Sequence, residues 1–271
     1  MLAAGAGTRL RPLTLERPKA LCPVGGVALV DLALARLRPV VAGDRVLAVN
    51  AHHGAELLDA HLAPGIHRSW EQPEALGTAG AIGALRPWLG GRDVVVANAD
   101  AWLDPTLDLA PFVDGWDRER TRLLCVVDPA RGDFGDLRYC GVALIPGPVA
   151  GRFEPVPSGL YEVSWRAEQA AGRLDLAVTA AAFVDCGTAA DYLHANLAAS
   201  GGRSVVADGV TVGAGAHLER TVVWPGAEVA AGERLVDAIR TPRATVLVRE
   251  TPGGGDHVAE PPRHGGSGCL A

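Results

Sequence analysis

Apolar residues change their spacing along this chain, and the spacing predicts the elements. Leu29, Leu32, Ala33 and Leu37 recur at helical intervals, so residues 28 to 38 predict a helix with one apolar side. Residues 54 to 62 predict a second helix. Between them, Arg45 to Asn50 is a short apolar run of strand length. Asp93 to Ala97 is a β-branched run that stops at Asn98-Ala99-Asp100. Leu123 to Val127 and Gly141 to Ile145 predict two further strands. Leu2-Ala3-Ala4 predicts the end of a buried strand, either stunted or begun a few residues upstream. Such alternation predicts an α/β fold of Rossmann-like type, a mostly parallel sheet flanked by helices. Ligands gather at the carboxyl ends of strands in these sheets. Gly5, Asp100 and Asp185 each follow a predicted strand, so one cleft is expected to collect them.

The pattern changes after about residue 202. Val206, Val212 and Leu218 are six apart, and after a five-residue step so are Val223, Val229 and Leu235. Sixfold spacing predicts a short left-handed β-helix of hexapeptide type. The expected division is a domain over residues 1–200, this segment over 201–250, and a disordered Gly-, Pro- and His-rich tail over 251–271.

Composition narrows the partners. The chain has 271 residues, 48% hydrophobic, enough for one main core with a small appendage. Its net charge of −6 is spread without long blocks of one sign, so neither nucleic acid nor a membrane is an expected partner. Yet Arg9, Arg11, Arg17 and Lys19 crowd the first twenty residues against Glu16 alone, which suits a small anion. Five cysteines (22, 125, 140, 186 and 269) lack zinc spacing and predict reduced thiols in a cytoplasmic protein. No leader is expected ahead of the first motif, and no apolar run has the length of a membrane span. Lys19 is the only lysine in the chain, as if a compact point charge is needed where an arginine fork will not serve.

Gly5-Ala6-Gly7-Thr8-Arg9-Leu10-Arg11-Pro12-Leu13-Thr14 carries the first chemistry. Glycines after a strand bring backbone N–H groups close to phosphate oxygens. Arg9 then grips β- and γ-oxygens, and Lys19 reaches the α-phosphate. Leu10 stands where a dinucleotide fingerprint has its third glycine, and the P-loop Gly-Lys-Ser/Thr is absent. The glycines alone predict no more than a tight turn. With Arg17-Pro18-Lys19 and Pro23-Val24-Gly25-Gly26, the full string resembles the signature of the sugar-1-phosphate nucleotidyltransferases, the NDP-sugar pyrophosphorylases.

The resemblance implies an enzyme with the nucleotide-diphospho-sugar transferase fold. It makes NDP-sugar and pyrophosphate from a nucleoside triphosphate and a sugar 1-phosphate. Arg9, Lys19 and Asp100 become the catalytic residues. Ala3, Ala4, Gly5, Gly7, Thr8 and Arg9 become nucleotide-binding, with Gln72, Gly77 and Thr78 from Glu71-Gln72-Pro73 and Leu76-Gly77-Thr78-Ala79-Gly80. Asp100 of Asn98-Ala99-Asp100 and Asp185 of Phe183-Val184-Asp185-Cys186-Gly187-Thr188 become ligands of Mg²⁺, which favours one or two carboxylates plus phosphate oxygens. Gly141 and Glu162 become sugar-binding, the second on a loose match. His52 and His53 fall at an ordinary loop-to-helix junction.

Leu76-Gly77-Thr78-Ala79-Gly80 resembles the guanylyltransferases and favours GTP with mannose 1-phosphate, with UTP- or dTTP-dependent chemistry as the alternative. Between Val127 and Tyr139 the chain lacks the hairpin and second lysine or glutamate of the family, leaving Arg131 or Arg138 to clamp the sugar phosphate. A non-catalytic nucleotide-binding or regulatory paralogue is the rival this shortening raises. An acyltransferase built on the sixfold segment is remote, with only His217 there, and homo-oligomer formation stays open.

Overall fold

The computed structural model describes residues 1–248. The 251–271 tail lies outside the described residues. Leu2 is the first element of the sheet. It bridges Asn50 on one side and Asn98 on the other, both in parallel. Its N–H donates to Ala97 O at 2.8 Å, and its carbonyl accepts from Ala99 N–H at 2.9 Å. The first strand is thus reduced to a bridge that ends where the glycine turn begins.

A small hairpin, β1 (Pro23–Val24) and β2 (Val27–Ala28), leads into α1 (Leu29–Leu37). Strand β3 (Ala48–Ala51), helix α2 (Ala55–His61) and strand β4 (His67–Trp70) follow. Next come α3 (Gly77–Leu89), β5 (Val94–Ala97), β6 (Ala101–Leu103) and α4 (Ala110–Asp114). The long strands β7 (Thr121–Val127) and β8 (Leu137–Ile145) precede α5 (Gly147–Ala150), a π-helical turn over Tyr161–Trp165, and α6 (Arg166–Ala170). Strands β9 (Leu174–Val178) and β10 (Phe183–Asp185) then lead to α7 (Ala189–Ser200).

Across the sheet the order is β4, β3, Leu2, β5, β8, β7, β9. Parallel pairing runs from β4 to β5 and again between β7 and β9. The expectation of a mostly parallel sheet needs one correction, because β8 runs antiparallel to both β5 and β7 and makes the sheet mixed. The cause is the short 128–136 connection, which permits a hairpin and no crossover helix. Helix α1 buries Val30, Ala33, Leu34 and Leu37 on one face, with Leu58 and Phe112. Helix α3 buries Ala79, Ile82, Leu85 and Leu89 on the other, with Phe153 and Trp165.

Beyond α7 the chain coils. Strands β11 (Val205–Val206), β13 (His217–Val223) and β15 (Arg234–Arg240) pair in parallel, as do β12 (Thr211–Val212) and β14 (Glu228–Val229). The partners Val205 and Val222, or His217 and Arg234, show one coil rising per 17 residues. Val223, Val229 and Leu235 are buried as the sixfold spacing predicts. Val206 and Val212 are not, at 39% and 43% exposure. They belong to the end coil, which has a neighbour on one side only. Strand β16 (Thr245–Leu247) turns back antiparallel onto β15 and closes the stack. Trp224 docks the coils: its Nε1–H donates to Tyr192 Oη of α7 at 2.9 Å, and the Arg17 guanidinium lies 4.4 Å above its ring centre.

Candidate active site

Three pieces of backbone converge at the carboxyl ends of the central strands. The first is the turn after Leu2. Gly7 has φ +58°, and a Cβ there would lie 2.8 Å from Thr14 Cγ2 and 3.2 Å from Lys19 Cβ. Glycine is therefore required on two counts, left-handed backbone and close approach. Buried Thr14 anchors the turn from beneath, its hydroxyl donating to Gly7 O at 2.8 Å. A short 3₁₀ turn, Lys19–Leu21, fixes Lys19 below the same loop.

Asp100 follows β5, and Asp185 ends β10. Antiparallel pairing of β6 with β10 sets Asp185 opposite Ala101, one residue from Asp100. That short ladder makes neighbours of carboxylates far apart in sequence. Lys19 is only 6% exposed, yet its ammonium reaches both. Nζ donates to Asp100 Oδ2 at 3.1 Å and to Asp185 Oδ1 at 3.5 Å. Exposed Arg9 lies against Gly187, two residues past Asp185, with Nη2 3.0 Å from where a Gly187 Cβ would be.

Beside this cluster is a cleft of about 180 Å³. Ala3, Ala4, Gly5, Lys19, Gly77, Thr78 and Asp100 line it, joined by Asn50 and Asn98. Of the residues singled out for nucleotide, Gly7, Thr8 and Arg9 lie on the adjoining turn. Gln72 is exposed, and Ala75 takes the place in the wall. At Gly77, φ is +70° and a Cβ would lie 2.6 Å from Ser158 O. Gly80 and Gly83 likewise admit the 154–156 backbone onto α3. Thr78 does not cap its helix; its Oγ1 accepts from Leu160 N–H at 2.8 Å.

Sequence reasoning missed the floor of the cleft. Asn50 and Glu71 are both buried. Asn50 Oδ1 accepts from Ala3 N–H at 2.6 Å, and its Nδ2 donates to Glu71 Oε1 at 2.6 Å. Glu71 Oε2 accepts from Leu76 N–H at 2.7 Å. One carboxylate thus ties the glycine turn to the α3 entrance. The legible signal was a polar Asn ending an otherwise apolar strand. His52 Nδ1 contacts Glu71 O at 2.9 Å, a structural place as expected.

Gly141 backs the acidic motif: its carbonyl accepts from Asn98 N–H at 2.8 Å, and a Cβ would sit 3.2 Å from Asn98 Cβ. Glu162 is exposed on the π-helical turn, with its carboxylate folded over Gly159. The same turn borders an aromatic pocket of Phe134, Tyr139, Tyr161 and Trp165 with Asp133. It holds two of the chain's three tyrosines, a concentration composition alone did not flag.

Among the described residues no group of three or more His, Cys, Asp or Glu side chains is arranged around a metal position. The Asp100–Asp185 pair nevertheless fits a divalent cation that completes its shell with phosphate oxygens. The Lys19 ammonium already bridges the pair as a cation would. Cys22, Cys125, Cys140 and Cys186 are buried free thiols, and burial pushes each up to about 12. None of the four is a nucleophile at neutral pH. No helix among the described residues is long and apolar enough to cross a membrane.

The family described as nucleotidyl transferase matches residues 1–132. The N-acetylmuramate alpha-1-phosphate uridylyltransferase of Caulobacter vibrioides is 39% identical over 171 residues, covering 58% of this chain and 70% of that protein. The mannose-1-phosphate guanylyltransferase catalytic subunit beta of Dictyostelium discoideum is 26% identical, covering 71% of this chain and 62% of that one. In fold, a Thermus thermophilus structure described as mannose-1-phosphate geranyltransferase superposes with a TM-score of 0.67 at 19% identity, over 91% of this chain and 93% of its own. With an α/β mixed sheet and the cationic turn of this sequence, the chain belongs to the sugar-1-phosphate nucleotidyltransferases.

Proposed function

We propose that the chain catalyses attack of a sugar 1-phosphate on the α-phosphorus of a nucleoside triphosphate. A new P–O bond forms to the sugar-phosphate oxygen, the α–β bridging P–O bond breaks, and pyrophosphate leaves. The observation that carries this reading is the meeting of Lys19, Asp100 and Asp185 at the edge of the cleft lined by the glycine turn. Asp100 and Asp185 would hold a divalent cation such as Mg²⁺, which would supply neutralisation of phosphate charge. The N–H groups of the Gly5–Arg9 turn cradle the triphosphate. Arg9 takes its outer oxygens, Lys19 takes the α-phosphate as charge grows there, and Gly77 and Thr78 of the cleft wall face base and ribose, with Gln72 approaching from the exposed loop before α3. In this reading Gly141 and Glu162 serve the sugar, Glu162 after its carboxylate leaves Gly159. No covalent intermediate is needed, so positioning and electrostatics carry the rate.

UTP is the first nucleotide to test, supported by the higher identity of the uridylyltransferase relative and the larger share of that protein's length that is matched. GTP with mannose 1-phosphate, favoured by Leu76–Gly80, is the second reading, supported by the guanylyltransferase relative. Residues 1–200 form the catalytic unit in this reading, and the 17-residue coils form a short left-handed β-helix against it.

The test is a pyrophosphate-release screen. UTP, GTP, dTTP and ATP are each paired with a panel of sugar 1-phosphates, including N-acetylmuramate and mannose 1-phosphates, with Mg²⁺ and with EDTA. Release that needs both substrates and the metal is the expected result. Nucleotide binding without release in every pairing would instead identify a non-catalytic paralogue.

A further inference from the structure

Two phosphate-bearing substrates must meet at Asp100 and Asp185, but the chain has a single lysine to receive them. A second cation stands at the same carboxylates. Arg138, on β8, is 17% exposed at its side chain. Its Nη1 donates to Asp128 Oδ2 at 3.2 Å. Its Nη2 stands 3.8 Å from Asp185 Oδ2. That distance is beyond hydrogen-bond length, so charge holds this edge near the carboxylate while its N–H groups stay open to another acceptor. The Phe183 ring lies 5.2 Å from the guanidinium carbon and supports the fork from one side. Phe183 and Asp185 are two apart on β10 and share a face, so one strand presents both platform and carboxylate.

Resting on the function proposed above, we infer that Arg138 binds the phosphate of the sugar 1-phosphate through its open edge, and that Asp128 is the positioning residue that holds the other edge. A guanidinium stays charged at any working pH and matches two phosphate oxygens at once. Lys19 is thereby left to the α-phosphate of the nucleotide. The other arginine of this segment is poorly placed for the task. Arg131 is half exposed and lies 3.9 Å from Asp191 of α7.

The experiment measures KM for each substrate separately in the wild type, Arg138→Ala, Arg138→Lys and Asp128→Asn, with thermal melts as a check on folding. Loss of a charge-assisted fork should raise the sugar 1-phosphate KM about 10- to 100-fold in Arg138→Ala. The nucleotide KM should stay within about threefold, since its phosphates contact other groups. Arg138→Lys keeps charge without the fork and should raise the same KM by at least about threefold. Asp128→Asn should move the same KM in the same direction. An unchanged sugar 1-phosphate KM, or an equal rise in both KM values, overturns the inference. If Arg138→Ala does not fold, Arg138→Lys decides by the same criterion. A wild type that releases no pyrophosphate with any pairing is a different result, and it removes the proposed activity itself.

Discussion

Lys19 Nζ stands 3.1 Å from Asp100 Oδ2, and the same ammonium reaches Asp185 Oδ1 at 3.5 Å. The only lysine of the chain therefore occupies the space between the two carboxylates that suit a divalent ion. In the proposed reading a divalent ion would have to displace the ammonium from this space. Lys19→Gln should bind Mn²⁺ more tightly than the wild type when nucleotide is absent, read by electron paramagnetic resonance of the free ion. Equal affinity would mean that the ion pair and the metal do not share a site.

Turnover should respond in the opposite direction. Lys19→Ala should lower kcat about 10²-fold or more, as for removal of a preorganised donor to growing negative charge. Lys19→Arg should recover little of it. The position is 6% exposed beneath the Gly7 turn, so a bulkier planar fork should crowd it. Near-normal turnover in Lys19→Ala would remove this residue from the mechanism.

Asp100→Asn and Asp185→Asn should each cost on the order of 10²-fold or more in kcat, and the double variant little beyond the worse single one. If the two carboxylates hold one ion, as proposed, they act as a unit and their losses do not add. Initial rates over a Mg²⁺ titration check this. Independent, multiplicative losses would place the two carboxylates in separate roles.

Much of this site was legible because its residues mark strand ends. The run Asp93 to Ala97 stops at Asp100, and Leu2 runs straight into the glycine turn, so alternation alone pointed both at one edge of a sheet. Asp185 was expected at the same edge for the same reason, but the contact that joins it to Asp100 was not legible. It depends on the three-residue pairing of β6 with β10, too short to leave a periodic signal. In sequence β8 reads like the parallel strands of the sheet, because burial on both faces hides direction. Val206 and Val212 repeat the sixfold spacing yet stay exposed, since spacing does not tell an end coil from an inner one. The Asn50–Glu71 hydrogen bond joins polar residues that a sequence shows only as two isolated letters.

Gly7→Ala should destabilise the protein by about 1–3 kcal/mol, the usual cost of a left-handed non-glycine residue, with further crowding because its Cβ would meet Thr14 Cγ2 at 2.8 Å. Thr14→Ser removes that methyl while keeping the hydroxyl bonded to Gly7 O. The double variant should therefore recover part of the loss, a positive coupling measurable by urea denaturation. Strict additivity would show that backbone strain alone sets the cost.

Stability should fall as pH rises above about 9. Burial raises the four described thiols to about 12, so the folded state keeps protons that the unfolded chain releases. Their contribution is complete below the unfolded thiol range and is lost as pH climbs from there toward the folded value. Thermal melts between pH 7.5 and pH 10 under reducing conditions, at roughly half-unit steps, should show a steadily lower Tm. The slope should lessen when Cys125 and Cys140 are replaced by alanine.

The most direct test of the account is a crystal structure with Mn²⁺ and a nucleoside triphosphate bearing a non-cleavable α–β link, using anomalous scattering to locate the metal. The predicted result is one ion shared by Asp100, Asp185 and phosphate oxygens, with the Lys19 ammonium turned from the carboxylates to the α-phosphate. An ion bound elsewhere, or Lys19 still bridging Asp100 and Asp185 beside a bound triphosphate, would contradict it.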